Sequence, residues 1–255
     1  MPMTADAYRE SLRRAKPTVY VDGERVGSVA DDPRLAPGVA AIAKTYELAL
    51  NAELAPLMQA RVAGFDAPVN RMMALTHTTA DLLNKLEAVR IVCRETGCAQ
   101  RYLGGDALNA LYQGTYGTDA EHGTEYHARL KHYLAHVYAN DLTLGAAMTD
   151  AKGDRSLRPS RQPNPDTYVH IVERNARGVV ISGTKAIVTG APYMHELLVL
   201  PGRAMTEAGA AFAVACAVPV DARGLTIVAR PAGRPGAAAA KFSGKYGQTT
   251  GVCLF

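Results

Sequence analysis

The sequence predicts an α+β protein in which helices come first and an antiparallel β-sandwich or barrel domain follows. Three observations carry this. Helical periodicity dominates to about residue 142. After Leu144 the pattern changes to short segments rich in β-branched residues, cut by Gly, Pro and Asn. The 255 residues suffice for one large domain or two modest ones. We therefore expect a helical domain over 1–142 and a β domain over 143–255.

In chain order, "TADAYRESLRRA" opens a helix with Thr4 as its cap, because a threonine hydroxyl can accept from a free first-turn amide. "TVYVDGERVG" predicts a β-hairpin near 18–27, with Asp22-Gly23 supplying the positive φ angles of a tight turn. Helices are expected near 38–60, 78–96, 98–113 and 122–140. In the second of these, Leu82, Leu86, Val89 and Cys93 recur at helical spacing as one apolar stripe. Strands are expected in "TYVHIVER", "GVVISG", "TKAIVTG", "HELLVLP", "AFAVACAVPV" and "LTIVAR", in a sandwich or barrel. The closing "QTTGVCLF" also reads as a strand, which must be covered by another segment.

Composition narrows the function classes. The chain is 48% hydrophobic and 20% charged, as soluble globular proteins are, and its net charge is +4. No basic run of nucleic-acid type occurs, and no stretch is apolar enough to span a membrane. The four cysteines sit in apolar or helical settings, the usage expected of a reduced, cytoplasmic protein. His132 and His136 stand four apart on a predicted helix, but a polar face explains them better than a metal site. Arg90 and Arg94 fit a solvated helix face in the same way.

The densest polar segment is "AMTDAKGDRSLRPSRQ", Ala147 to Gln162, directly after an apolar run. Such a loop is a solvated turn or a cradle for an anion. Three segments decide between them: "CAQRYLGGDALNALY" (98–112), "MTDAKGDRSLRPSRQPNPDTYVHIVER" (148–174) and "GVVISGTKAIVTGAP" (178–192). Together they resemble the 4-hydroxybutyryl-CoA dehydratase and 4-hydroxyphenylacetate 3-hydroxylase family of acyl-CoA dehydrogenase-like flavoproteins. The loop wording is closest to the dehydratase branch.

The resemblance implies that the loop wraps FAD. Met148 and Thr149 would face the flavin ring, Lys152 and Arg155 the ring or pyrophosphate, and Thr189 the N5 edge. A pyrophosphate calls for charge-assisted donors, which suits the two cations. Arg101 and Tyr102 are the implied catalytic candidates near the substrate. Cys98 occupies the first cluster-ligand position of the dehydratase C-x-x-x-C run, but Tyr102 stands at the second. A [4Fe-4S] cluster is therefore not expected.

The expected function is an FAD-dependent oxidoreductase, a monooxygenase component using reduced flavin from a separate reductase on a small organic substrate. The alternatives are a cluster-free dehydratase or isomerase acting on a CoA thioester, and a non-catalytic subunit. Family members continue into a helical bundle, so a separately encoded C-terminal half or a homo-oligomer is expected as partner.

Overall fold

The computed structural model describes residues 2–176 and 178–255. Its helices are α1 (Ala5–Arg14), α2 (Ala36–Leu50), α3 (Ala55–Met58), α4 (Thr79–Thr96), α5 (Tyr102–His122), α6 (Tyr126–Ala139) and α7 (Lys241–Lys245). The strands are β1 (Thr18–Val21), β2 (Glu24–Arg25), β3 (Gln59–Ala60), β4 (Val69–Asn70), β5 (Leu144–Ala147), β6 (His170–Asn175), β7 (Gly178–Ser182), β8 (Thr184–Thr189), β9 (Glu196–Val199), β10 (Cys216–Pro219), β11 (Thr226–Ala229) and β12 (Thr250–Leu254).

Local signals set most of these boundaries. The Thr4 side chain accepts from the Ala7 amide and starts α1. At α4, Thr78 and Asp81 form a reciprocal capping box, and Gly97 in the left-handed region ends the helix. The predicted hairpin is β1–β2, turned at Asp22 (φ 53°) and Gly23 (φ 82°).

The sheets are mixed, which corrects the purely antiparallel expectation. The main sheet runs β2-β1-β11-β12-β8, and a three-stranded sheet runs β10-β9-β5. β1 pairs with β11 in parallel, and β5 with β9 in parallel. β12 lies between β11 and β8, so the apolar closing strand is covered on both edges. β10 is shorter than "AFAVACAVPV" because its opening folds into a 3-10 turn over Glu207–Phe212.

The largest core joins both halves of the chain. It unites Tyr8, Leu12, Val19 and Tyr46 with Ala147, Tyr193, Leu197, Ile227 and Cys253. β1 belongs to the sheet of the second half, so tertiary structure crosses the expected boundary near 142. A smaller core lies between α5, α6 and β5.

Most of the apolar stripe on α4 faces outward, with Val89 partly buried against a core beside α2. Leu82 and Leu86 are 47% and 48% exposed, while Lys85, Ala88 and Val92 face inward. Lys85 is tolerated there because its ammonium donates to the Ala74 carbonyl at 2.6 Å.

Candidate functional site

The polar segment after β5 folds back over the start of β8. Asp150 forms an isolated bridge with Lys185, and the Ala186 amide donates to the Thr149 carbonyl at 2.8 Å. Lys185 holds the loop in place. Its buried ammonium donates to Asp150 Oδ1 at 2.5 Å, to the Met148 carbonyl at 3.0 Å and to the Leu200 carbonyl at 2.7 Å. Asp150 is buried as well, so the pair is desolvated and fully engaged.

Further along, Lys152 (φ 75°) and Gly153 (φ 52°) take successive left-handed conformations. A Cβ at Gly153 would lie 2.3 Å from Gln162 Oε1, so glycine is required there on two counts. Gln162 in turn accepts from the Asp154 amide and donates to the Asp154 carbonyl. Tyr168 donates its hydroxyl to the Lys152 carbonyl at 3.2 Å.

These contacts shape a cavity of about 310 Å³, lined by Met148, Thr149, Asp150, Lys152, Arg155, Tyr168, Gly202 and Arg203. Four of the sequence-predicted cofactor residues, Met148, Thr149, Lys152 and Arg155, thus share one wall. Among the described residues, Lys152, Arg155 and Arg203 have no salt-bridge partner, while the charge of Asp150 is matched by Lys185. The cavity therefore carries excess positive charge and suits a diphosphate. Gly202 keeps it open, because a Cβ there would stand 2.9 Å from the Met148 carbonyl and from Asp150 Oδ2.

Sequence reasoning missed Lys185, Gly202 and Arg203. A lysine inside the apolar strand "TKAIVTG" was the one available signal for Lys185, since a buried lysine requires partners. Arg203 and Gly202 arrive from the turn after β9, which no local pattern connects to residue 150.

Thr189 lies at the far end of β8 and does not line the cavity. Its hydroxyl accepts from Gln248 Nε2 at 3.5 Å. Between it and Lys185 stands Ile187, at φ 66° and 69% exposed, where β8 bulges against β12. A β-branched residue in the left-handed region is strained. The bulge sets the direction in which the end of β8, and hence Thr189, departs.

Arg101 does not line the cavity. Its side chain is fully buried, stacked 4.0 Å over the Tyr46 ring. Nη2 donates to the Asp141 carboxylate and to the carbonyls of Asp141 (3.0 Å) and Leu142 (3.2 Å). This geometry ties the start of α5 to the turn before β5. Tyr102, the first residue of α5, is half-buried beside Asp106, whose carboxylate raises its pKa. It does not line the cavity either.

The glycines of "GGDALNA" also have a packing explanation. A Cβ on Gly104 would meet the Leu144 carbonyl at 2.6 Å, and one on Gly105 would run into the Met72 carbonyl. Gly104 lets α5 lie directly against β5, and Gly105 lets it lie against the backbone at Met72.

The donor set around Cys98 does not fit a cluster. Its thiol accepts from Gln100 Nε2 at 3.5 Å, and burial pushes its pKa up, which opposes thiolate ligation. Cys93 is exposed on α4. No group of three or more metal-ligating side chains converges among the described residues. His136 bonds instead to Glu196 Oε1 at 3.1 Å. Arg90 pairs with Glu87 on the exposed face of α4. No helix among the described residues is long and apolar enough to cross a membrane.

Comparison with known proteins places this arrangement. Residues 4–255 match the family model described as "4-hydroxyphenylacetate 3-hydroxylase N terminal", and the chain belongs to that family. It is 41% identical over 229 residues to 4-hydroxybutyryl-CoA dehydratase/vinylacetyl-CoA-Delta-isomerase of Clostridium aminobutyricum, covering 89% of this chain and 47% of that protein. It is 25% identical over 233 residues to the 4-hydroxyphenylacetate 3-monooxygenase oxygenase component of Thermus thermophilus, covering 91% and 47%.

Among solved structures, an oxygen-tolerant archaeal 4-hydroxybutyryl-CoA dehydratase from N. maritimus superposes with a TM-score of 0.92 at 33% identity. That match covers 100% of this chain and 52% of the other. The oxygenase component of 4-hydroxyphenylacetate 3-monooxygenase solved with FAD gives a TM-score of 0.80 at 22% identity, a likeness of fold, over 99% and 52%. The chain thus spans about half the length of the relatives it matches.

Proposed function

We propose that this chain is the FAD-holding half of a flavoenzyme on the dehydratase side of its family, acting on a small acyl thioester. The observation that carries the reading is the cationic cavity. Met148, Thr149, Lys152 and Arg155 share it with Arg203, three unpaired cations face it, and Lys185 fixes its wall. Lys152, Arg155 and Arg203 would hold the diphosphate, and Met148 and Thr149 would pack against the flavin. FAD supplies the electron-accepting ring. The chain's own residues bind it, orient it and shield one side from water. Thr189 would donate to the ring edge from the end of β8.

The 41% identity to a dehydratase/isomerase supports the thioester branch over the aromatic one. The reading needs no cluster from this half. The outward stripe of Leu82 and Leu86 supports a partner, in that it offers an apolar seat for the family's remaining half.

A second reading keeps the oxygenase chemistry first expected, with a flavin reductase as donor. The lone Cys98, with Tyr102 at the second ligand position, favours it. Oxygen- and reductase-dependent hydroxylation of an aromatic acid would select it, and anaerobic double-bond migration in a CoA thioester would select the first.

The binding claim is tested on the chain alone by titrating FAD and riboflavin against flavin fluorescence. FAD should bind at least tenfold more tightly than riboflavin. K152Q, R155Q and R203Q should each reduce that preference. Equal affinities for the two, unchanged in the variants, would sink the diphosphate assignment.

A further inference from the structure

A second cavity lies on other elements and shares no lining residue with the first. It measures about 650 Å³ and sits between the α5–α6 pair and the strands β6, β7, β9 and β10. That size is typical of small-molecule sites. Its walls are apolar, from Leu111, Leu130, Ile171, Val179, Leu198 and Val214.

Two cations break that apolar lining. Arg129 projects from α6 and Arg174 from β6, and both are exposed. Arg129 lies 5.7 Å from the centre of the Tyr126 ring. Neither guanidinium has a carboxylate partner among the described residues. The nearby acid is already engaged, since Glu196 accepts from the Tyr133 hydroxyl at 2.7 Å and from His136 at 3.1 Å. Tyr133 therefore presents its ring to the cleft while its hydroxyl is tied down. Both guanidiniums thus stand without a carboxylate beside an apolar hollow.

We propose that this cleft binds an amphipathic anion, a hydrocarbon or aryl body with a carboxylate at one end. The body would displace water from the leucine and valine walls, and the head would reach the two guanidiniums, which bind carboxylates in bidentate fashion. The proposal is independent of the flavin reading, because the two cavities have separate linings and opposite compositions. An apolar groove without cations would fit a neutral chain equally well, so the arginines decide the ligand class.

The test uses the full chain, decanoate as probe and 1-decanol as its uncharged counterpart, each displacing 1-anilinonaphthalene-8-sulfonate. Decanoate should compete at least tenfold better than decanol. The R129Q/R174Q double variant should remove that advantage and leave decanol binding unchanged. A217F, which fills the hollow, should abolish both, with circular dichroism confirming the fold of each variant. Equal competition by acid and alcohol would overturn the proposal, as would decanoate binding that survives A217F. So would light scattering that shows wild-type chains paired and A217F monomeric, since the cleft would then be a contact between copies. FAD affinity should stay the same in all these variants, which separates this result from that of the first cavity.

Discussion

Replacing Lys185 by methionine should destabilise the protein by about 3 kcal/mol and damage flavin binding at the same time. The methionine has nearly the same volume, so packing changes little. What disappears is one ammionium-centred set of three contacts: Asp150 at 2.5 Å, the Met148 carbonyl at 3.0 Å and the Leu200 carbonyl at 2.7 Å. Asp150 is only 6% exposed and would be left as an uncompensated buried carboxylate. Breaking such a pair costs about 3–5 kcal/mol, and each orphaned carbonyl adds to it. The loop can relax toward the cationic cavity, which argues for the lower end of that range.

Urea unfolding followed by circular dichroism gives the stability, and the FAD titration gives the function. The double variant K185M/D150L should recover most of the loss of stability, because it removes both charges together. It should not recover FAD binding, since the loop loses its fastening either way. A loss below about 1 kcal/mol for K185M, or a double variant as unstable as the single, would refute the argument that this pair anchors the loop.

The remaining predictions concern other parts of the fold. Burial pushes the His195 pKa down to about 4, with Arg101 adding to the effect. Its Nδ1 accepts from the Thr143 amide at 2.8 Å, so the folded state keeps the ring neutral. The unfolded chain takes up this proton below about 6.5 and the folded one does not, so stability is full above that value. It should fall by about 3 kcal/mol between pH 6.5 and 4, and H195N should flatten that part of the curve in urea titrations at each pH. Gly105→Ala should cost about 1–3 kcal/mol by forcing α5 off the Met72 carbonyl, read as a lower urea midpoint. Ile187→Gly should raise stability by about 1 kcal/mol through relief of the left-handed backbone at an exposed site. Leu86→Glu should leave stability within about 0.5 kcal/mol but weaken association with a co-expressed second half of the family, measured by size exclusion.

Local chemistry made much of the architecture legible. Asp22-Gly23 marked the first hairpin, Thr4 capped α1, and β-branched runs marked the strands of the second half. Pairings between distant segments were not legible. Nothing near Thr18 indicates that it pairs with Thr226, and the parallel register follows from the fold as a whole. The Leu82 stripe shows why periodicity alone misleads: it reports that a face is apolar, not what covers it. At the site, the charge density of residues 147–162 left a solvated turn and an anion cradle both open, and only the resemblance of the flanking segments favoured the cradle. Nothing in the sequence around Arg101 indicates that Asp141 and Tyr46 enclose it.

The parallel seam between β1 and β11 bears on how the molecule assembles. α1, β1 and α2 bury their apolar faces against strands translated much later, so during synthesis this leading portion waits with its hydrophobic surface uncovered. A fragment ending near residue 142 should aggregate or remain molten, and swift acquisition of structure should depend on the arrival of β11 and β12.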